Sequence, residues 1–339
     1  MYSCPINNVA KQLLIRFYQK AKRLPARRDY AMKKTLKIPT GLKAPAVYHS
    51  EALDIHEIRE QSTHLIGFEF DGTTCFRKGT VEGPDAIREV ADGIESYSPY
   101  LQMDTTEITP FIDLGNLPVG ETEDVDANWQ QATDAFFELT KDIDLKKTGV
   151  RFLTLGGEHS ISYAPIATYL KNYPDLVLLH LDAHADLRDG YLGHKFSHAS
   201  IIRRVYDHFE DGHRLIQYGI RSGTKEEYDW MNEHKTLKTS LDEFIESVKK
   251  IDDQRPIYLT LDLDYFDPCY LPGTGTPEPG GETFHSFIKL AKILVKKNFV
   301  GADVTELSPR IDASGNSNVF ATKVVRELLL ALESAPLES

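Results

Sequence analysis

The chain has 339 residues, 41% of them apolar and 27% charged, enough for one large α/β domain or two smaller ones. Its 39 Lys plus Arg stand against 51 Asp plus Glu, a formal charge of −12. That balance argues against a nucleic-acid partner and favours approach of a cationic ligand. Cys4, Cys75 and Cys269 are far apart, odd in number and in no C-x-x-C arrangement. A reducing, cytoplasmic setting is therefore expected, with neither a disulfide framework nor a thiolate zinc site. No run reaches the roughly 18 apolar residues of a membrane span, so no membrane partner is expected.

Residues 1–31 read as a basic N-terminal extension. Val9, Leu13, Phe17, Ala21 and Leu24 fall on one helical face, among Lys11, Arg16, Lys20, Lys22, Arg23, Arg27 and Arg28. The apolar run is too short, and the cations too many, for a secretory signal. A surface-binding or targeting role competes with a simpler reading, an upstream start codon ahead of Met32. Residues 32–62 are expected to form an arm, and 63–335 a single domain.

From about residue 64, short apolar runs alternate with helix-like segments. "HLIGFEFDG" reads as a strand, and "GPDAIREVADGI" as a helix with Pro84 in its first turn. "ITPFIDLG" is a second strand. The next helix holds Trp129, Ala132, Phe136 and Leu139 at helical spacing. Strand "RFLTL" runs into "GGEHS" and helix "ISYAPIATYLKNY". Strand "DLVLLHL" and its charged loop precede helix "HASIIRRVYDHF". Strand "LIQYGI", helix "TKEEYDWMNEH" and helix "SLDEFIESVKK" follow, the last with Ser240 and Glu243 at capping-box spacing. The chain closes with strand "IYLTL", helix "TFHSFIKLAKILVKK", strand "FVGADV" and helix "VFATKVVRELLLALE". The strands are continuously apolar, as when helices cover both faces, so a mainly parallel α/β sheet is expected. A closed (β/α)₈ barrel is the competing architecture.

Three strands end in potential metal ligands: His159 after "RFLTLGGE", Asp182, His184 and Asp186 in "LDAHAD", and Asp262 and Asp264 in "LDLD". Ligands of open parallel sheets sit outside the carboxyl ends of strands. Residues two apart on an extended chain share a face, so Asp182 should converge with His184, and Asp262 with Asp264. Four carboxylates and two imidazoles without a cation would repel one another; two divalent ions would neutralise them. Oxygen and imidazole donors without thiolate suit Mn²⁺ best and accommodate Fe²⁺, Co²⁺, Ni²⁺ or Zn²⁺. Two such ions about 3.5–4 Å apart lower the pKa of water towards ~7 and so supply a nucleophile. A lone D-x-H or D-x-D is usually a solvated loop pair or a cap. Here both close strands, beside a third donor.

"GGEHS", "LDAHADLRD", "FSHAS", "LTLDLDYFDPCYLPGTGTPEPGG" and "ADVTELSP" resemble, in that order, the motifs of the ureohydrolase family of arginases and agmatinases. "GFEFDGTTCFRKGTVEGPDAIRE" and "ESYSPY" are similar to the family's opening segment, agmatinases in particular. The likeness covers about residues 60–333. It implies a three-layer α/β/α sandwich around a mainly parallel sheet of about eight strands, two Mn²⁺ per subunit, and hydrolysis of guanidino groups to urea. By motif, His159, Asp182, Asp186 and Asp262 would hold one ion, and Asp182, His184, Asp262 and Asp264 the other. The resemblance places Glu306 on the substrate guanidinium, His198 as a proton shuttle and Thr276 beside the reacting carbon; proton transfer to the leaving amine is expected to run through Asp186. His180 and His194 are expected to be structural, and Asp189 and Asp267 to serve turns.

Arginases carry a Ser-Gly-Asn segment before the matching His; "LRDGYLGHKFS" lacks it and looks like agmatinases. Agmatine is therefore the expected substrate, giving urea and putrescine. Guanidinobutyrate, guanidine, arginine and formiminoglutamate are the alternatives, as is a catalytically silent binding relative. A single-zinc deacetylase on a related fold would not require His159, Asp186 and Asp264 together. The family also implies a homo-oligomer, trimer or hexamer.

Overall fold

The computed structural model describes residues 57–108 and 111–334, together with Thr35–Lys37 and Tyr48. The basic extension 1–31 and most of the arm 32–62 lie outside the described residues.

Eight strands form the central sheet: β1 Thr63–Phe68, β2 Ile112–Asn116, β3 Arg151–Gly156, β4 Val177–Leu181, β5 Arg214–Tyr218, β6 Leu237–Lys238, β7 Ile257–Asp262 and β8 Phe299–Thr305. Their order is β6-β5-β4-β7-β8-β3-β1-β2, and every neighbouring pair is parallel. The sheet is open, with β6 and β2 at its edges, which rules out the closed barrel. β6 was not foreseen: at two residues it carries no apolar run for a sequence pattern to register.

Side chains alternate across the pleat, and both faces are dry. Leu65, Leu153, Leu179 and Leu259 join one core; Ile66, Phe152, Leu178 and Tyr258, each one position along, join the other. Helices α1 Gly83–Ala91, α2 Val125–Thr140, α3 Tyr163–Asn172, α4 Ile201–Tyr206, α5 Lys225–His234, α6 Leu241–Lys249, α7 Phe284–Leu294 and α8 Asn316–Ser334 supply the covering layers. Ile87 of α1, Phe244 of α6, Phe287 of α7 and Leu328 of α8 pack on the first face. Trp129 and Phe136 of α2, Ile166 of α3, Ile202 of α4 and Met231 of α5 pack on the second. The result is a three-layer α/β/α sandwich with an eight-stranded parallel sheet.

Two local details differ from the sequence expectation. Ser240 does cap α6, accepting from Glu243 N at 3.2 Å, but the Glu243 carboxylate turns to Thr239 N at 3.0 Å, so that box is not reciprocal. The reciprocal box is Thr224 with Glu227 at the start of α5. A buried pair also ties α1 to β2: Arg88 donates from Nε and Nη2 to both Asp113 oxygens, at 2.8 and 2.9 Å.

Candidate metal centre

The carboxyl ends of β4, β7, β8 and β3, four adjacent strands at the middle of the sheet, carry all the converging residues. Asp182 follows β4, Asp262 ends β7, Glu306 follows β8, and His159 opens a 3₁₀ turn beyond β3. Contrary to the expectation above, convergence within the D-x-H and D-x-D pairs does not come from strand alternation. β4 stops at Leu181, and Leu263–Tyr265 is a 3₁₀ turn. Each pair instead closes on itself: Asp182 Oδ1 accepts from His184 N at 2.6 Å, and Asp262 Oδ1 from Asp264 N at 2.8 Å. Short Asp side chains favour this i-to-i+2 turn, which brings the second residue back beside the first.

Two clusters result. His159 Nδ1 lies 3.0 Å from Asp182 Oδ2, 3.1 Å from Asp186 Oδ2 and 3.5 Å from Asp262 Oδ2. His184 Nδ1 lies 2.9 Å from Asp264 Oδ2 and 3.5 Å from Asp182 Oδ1. Asp182 therefore turns one oxygen to each cluster. Atoms bound cis on an octahedral ion at ~2.1 Å sit about 3 Å apart, close to these separations.

The donors fit divalent cations on a further ground. His159 Nδ1 is buried with no hydrogen-bond partner. Its Nε2 donates to Thr260 Oγ1 at 2.8 Å, because the Thr260 hydroxyl is itself committed to Asp303 Oδ1 at 2.7 Å. Nδ1 thus faces three carboxylate oxygens, an arrangement that requires positive charge at that point. In the cation-free chain, burial disfavours the His159 imidazolium, but Asp182 and Asp186 outweigh it and raise its pKa well above the ordinary value. Burial, then the neighbouring Asp182 charge, pushes the Asp186 carboxyl up to about 7. Burial, then Asp264 and Asp182, raises Asp262 well above the carboxylate range. Ions bound here would relieve all three at once.

His180, expected to be structural, lies within reach of the first cluster. Its Nε2 is 2.9 Å from Asp182 Oδ2, and Gln217 Nε2 is 3.1 Å from its Nδ1. Since Gln217 Oε1 accepts from Thr236 Oγ1 at 2.7 Å, the Gln217 amide nitrogen faces the ring. His180 Nδ1 therefore accepts, and Nε2–H donates to Asp182. His180 orients the shared carboxylate. Asp189 is exposed and takes a hydrogen bond from Arg204 at 2.6 Å, while Asp267 accepts the Cys269, Gly280 and Gly281 amides of a turn. His194 pairs with Asp126 at 2.7 Å.

A cavity of about 270 Å³ opens over the clusters, with His159, Asp186, Asp262, Glu306, His198 and Thr276 in its wall, beside Arg188, Tyr191 and Cys75. Asp186 and Glu306 hold left-handed backbones, φ 53° and 67°, rare for non-glycine residues. The Glu306 carboxylate is fixed by His159 N at 2.8 Å. Burial first, then the nearby Glu158, raises its pKa well above the usual range, so a cation is a favoured neighbour for it too. Thr276 Oγ1 reaches Asp264 Oδ2 at 3.3 Å. Burial, with the charge of His184 and His159, holds His198 down at about 4, so its imidazole is neutral near pH 7. Arg188 stacks on Tyr191, 4.5 Å from the ring centre, and its Nε lies 4.0 Å from Glu227. Neither Arg188 nor Tyr191 carries a sequence signal of its own; only the fold of the 186–198 loop brings them here.

Residues 61–331 match the Arginase family. The agmatinase of Bacillus anthracis is 38% identical over 277 residues, 80% of this chain and 92% of the relative. The guanidinobutyrase of Pseudomonas aeruginosa is 30% identical, over 87% of this chain and 92% of that one. A crystal structure of a putative agmatinase from Clostridium difficile superposes with a TM-score of 0.73 at 34% identity, covering 81% and 98% of the two chains. Motif order, sheet topology and sequence match agree: this chain belongs to the arginase family, the ureohydrolases, and its buried His/Asp clusters fit the binuclear divalent-metal site at which that family hydrolyses guanidino compounds.

Proposed function

We propose that this chain is a manganese-dependent agmatinase, splitting agmatine and water into urea and putrescine. The observation that carries this reading is the Glu306 carboxylate, fixed in the cavity wall beside both clusters. Guanidinium is delocalised and a poor electrophile, so it must be held firmly against a strong nucleophile. His159, Asp182, Asp186 and Asp262 would hold one ion, and Asp182, His184, Asp262 and Asp264 the other. Bound there, the two metal ions would supply an activated water at neutral pH. Glu306 binds and orients the guanidinium, and Thr276, anchored on Asp264, borders the reacting carbon. Asp186 passes a proton to the departing amine, and His198 exchanges protons between the cavity and solvent. The absence of a Ser-Gly-Asn segment before His198, and the similarity to several agmatinases, favour agmatine over arginine.

One observation favours a second reading. The Arg188 guanidinium lines the cavity, stacked on Tyr191, and its nearest carboxylate is Glu227 at 4.0 Å. A cation there suits an anionic tail, as in guanidinobutyrate, better than the ammonium of agmatine. Chelated protein reloaded with Mn²⁺ and assayed for urea against agmatine, guanidinobutyrate, arginine and guanidine separates these readings. Agmatine should give the highest kcat/KM. A guanidinobutyrate optimum would replace the substrate, and no urea from any compound would sink the hydrolase assignment.

A further inference from the structure

The motif "GGEHS" contributes more than His159. Glu158 is fully buried and belongs to neither cluster, yet four donors converge on it. Thr73 N donates to its Oε2 at 2.7 Å, Thr74 Oγ1 to Oε2 at 3.2 Å and Ser160 Oγ to Oε1 at 2.6 Å; the Thr73 hydroxyl also donates to Oε1. The Thr73 oxygen in turn lies 3.1 Å from His198 N and 3.2 Å from His198 Nδ1. Glu158, Thr73 and His198 thus form one chain running from the buried end of β3 to the cavity wall.

Proton counting along that chain fixes the state of His198. The Thr73 hydroxyl has a single proton, and a carboxylate attracts it more strongly than a neutral imidazole does. One lone pair of Thr73 Oγ1 accepts His198 N–H, a donor in every state. What remains for His198 Nδ1 is the second lone pair, so Nδ1 must carry the hydrogen. The neutral ring then keeps its free lone pair on Nε2. We propose that Thr73, held by Glu158, is a positioning residue that locks His198 in the Nδ1–H tautomer and so leaves Nε2 bare to take up a proton in the cavity. This rests on the proton-exchange role proposed above for His198, and it explains why a carboxylate is buried where it binds neither ion nor substrate. A base in the opposite tautomer would present a hydrogen where it must present a lone pair.

The test uses the Mn²⁺-loaded enzyme with Thr73→Val, which keeps shape and removes the hydroxyl, beside Thr73→Ser, which keeps the hydroxyl. Valine should lower kcat about tenfold, a modest share of the ~10²–10⁴ typical of acid–base groups, with KM and metal content within about twofold. Serine should restore kcat to within about twofold of wild type. A purely structural Thr73 would lower thermal stability or metal content and leave kcat per bound metal unchanged, which would overturn the proposal. Should the valine variant fail to fold, ¹⁵N NMR of the wild-type protein loaded with diamagnetic Zn²⁺ reads the tautomer directly, with His198→Asn as the assignment control. Hydrogen on Nε2 of His198 would overturn the proposal, and hydrogen on Nδ1 would support it. His198→Ala separates the two levels. If it retains full kcat, the proton-exchange reading falls and takes this inference with it. If it loses kcat while Thr73→Val does not, only the role of Thr73 falls.

Discussion

Asp182 shows how much of the site depends on a single carboxylate. One oxygen serves each cluster, and the same oxygen that faces His159 also accepts from His180. Gln217 and Thr236 complete the chain behind it. Such outer partners fix the angle of a ligand, and removing one typically costs about 10–100-fold in metal affinity. His180→Ala should therefore weaken Mn²⁺ binding by that order, measured by titration of the chelated protein, with kcat at saturating Mn²⁺ changed much less. Unaltered affinity would return His180 to the structural role that the sequence suggested. The sequence could single out residues that converge in the two clusters because Asp and His at strand ends are visible as residue types. It misjudged the cause of the D-x-H and D-x-D spacing, which is side-chain-to-amide turn closure rather than strand alternation. It passed over Thr73 because hydrogen bonds to residues as distant in the chain as Glu158 and His198 leave no local pattern.

At the scale of elements, the strands and long helices were legible from their apolar runs and periodicity, since burial on both faces demands those residues wherever the chain lies. Their junctions were not. The loop carrying Thr276 is held to the start of α8 by contacts with no sequence pattern: Gly273 N donates to Ser317 Oγ at 2.9 Å, and Ser317 Oγ donates to Asp312 Oδ2 at 2.7 Å. Asp312 also accepts from Ser317 N at 2.8 Å and from Ser314 N and Oγ at 3.0 and 2.6 Å. Burial pushes its carboxyl up, but the bonds from Ser314 and Ser317 outweigh that and hold it at about 2. Asp312→Ala should lower unfolding stability by about 1 kcal/mol near pH 7, as loss of a helix-start acceptor does. The folded carboxyl titrates below its unfolded value of ~3.9, so its contribution is complete above that pH and is lost as pH falls towards about 2. The gap between wild type and variant in urea unfolding should accordingly narrow from pH 5 to pH 2.5. A gap that stayed constant would mean that the charge of Asp312 is not what holds this junction.

For the whole molecule, the decisive feature is that β3, β4, β7 and β8 all aim acidic or imidazole groups at one small volume. Hydrophobic burial holds the two cores together on either side of the sheet, yet at this end the strands bring together charges that repel. Divalent ions would turn that repulsion into a cross-link among β3, β4 and β7, with Glu306, after β8, left free for a cationic ligand. Because ions bind the folded arrangement and not the unfolded chain, they stabilise it by about 2.7 kcal/mol when present at a hundred times Kd. At ~2–4 °C per kcal/mol, typical of domains somewhat smaller than this one, chelation should lower the thermal midpoint by at least about 5 °C. Added Mn²⁺ should restore it. Asp182→Asn, which removes charge shared by both clusters, should show a smaller drop on chelation and a smaller recovery. Equal midpoints with and without chelator, for protein shown to bind Mn²⁺, would mean that the strand ends are already held without ions. The clusters would then be a site that metal occupies rather than one that it builds.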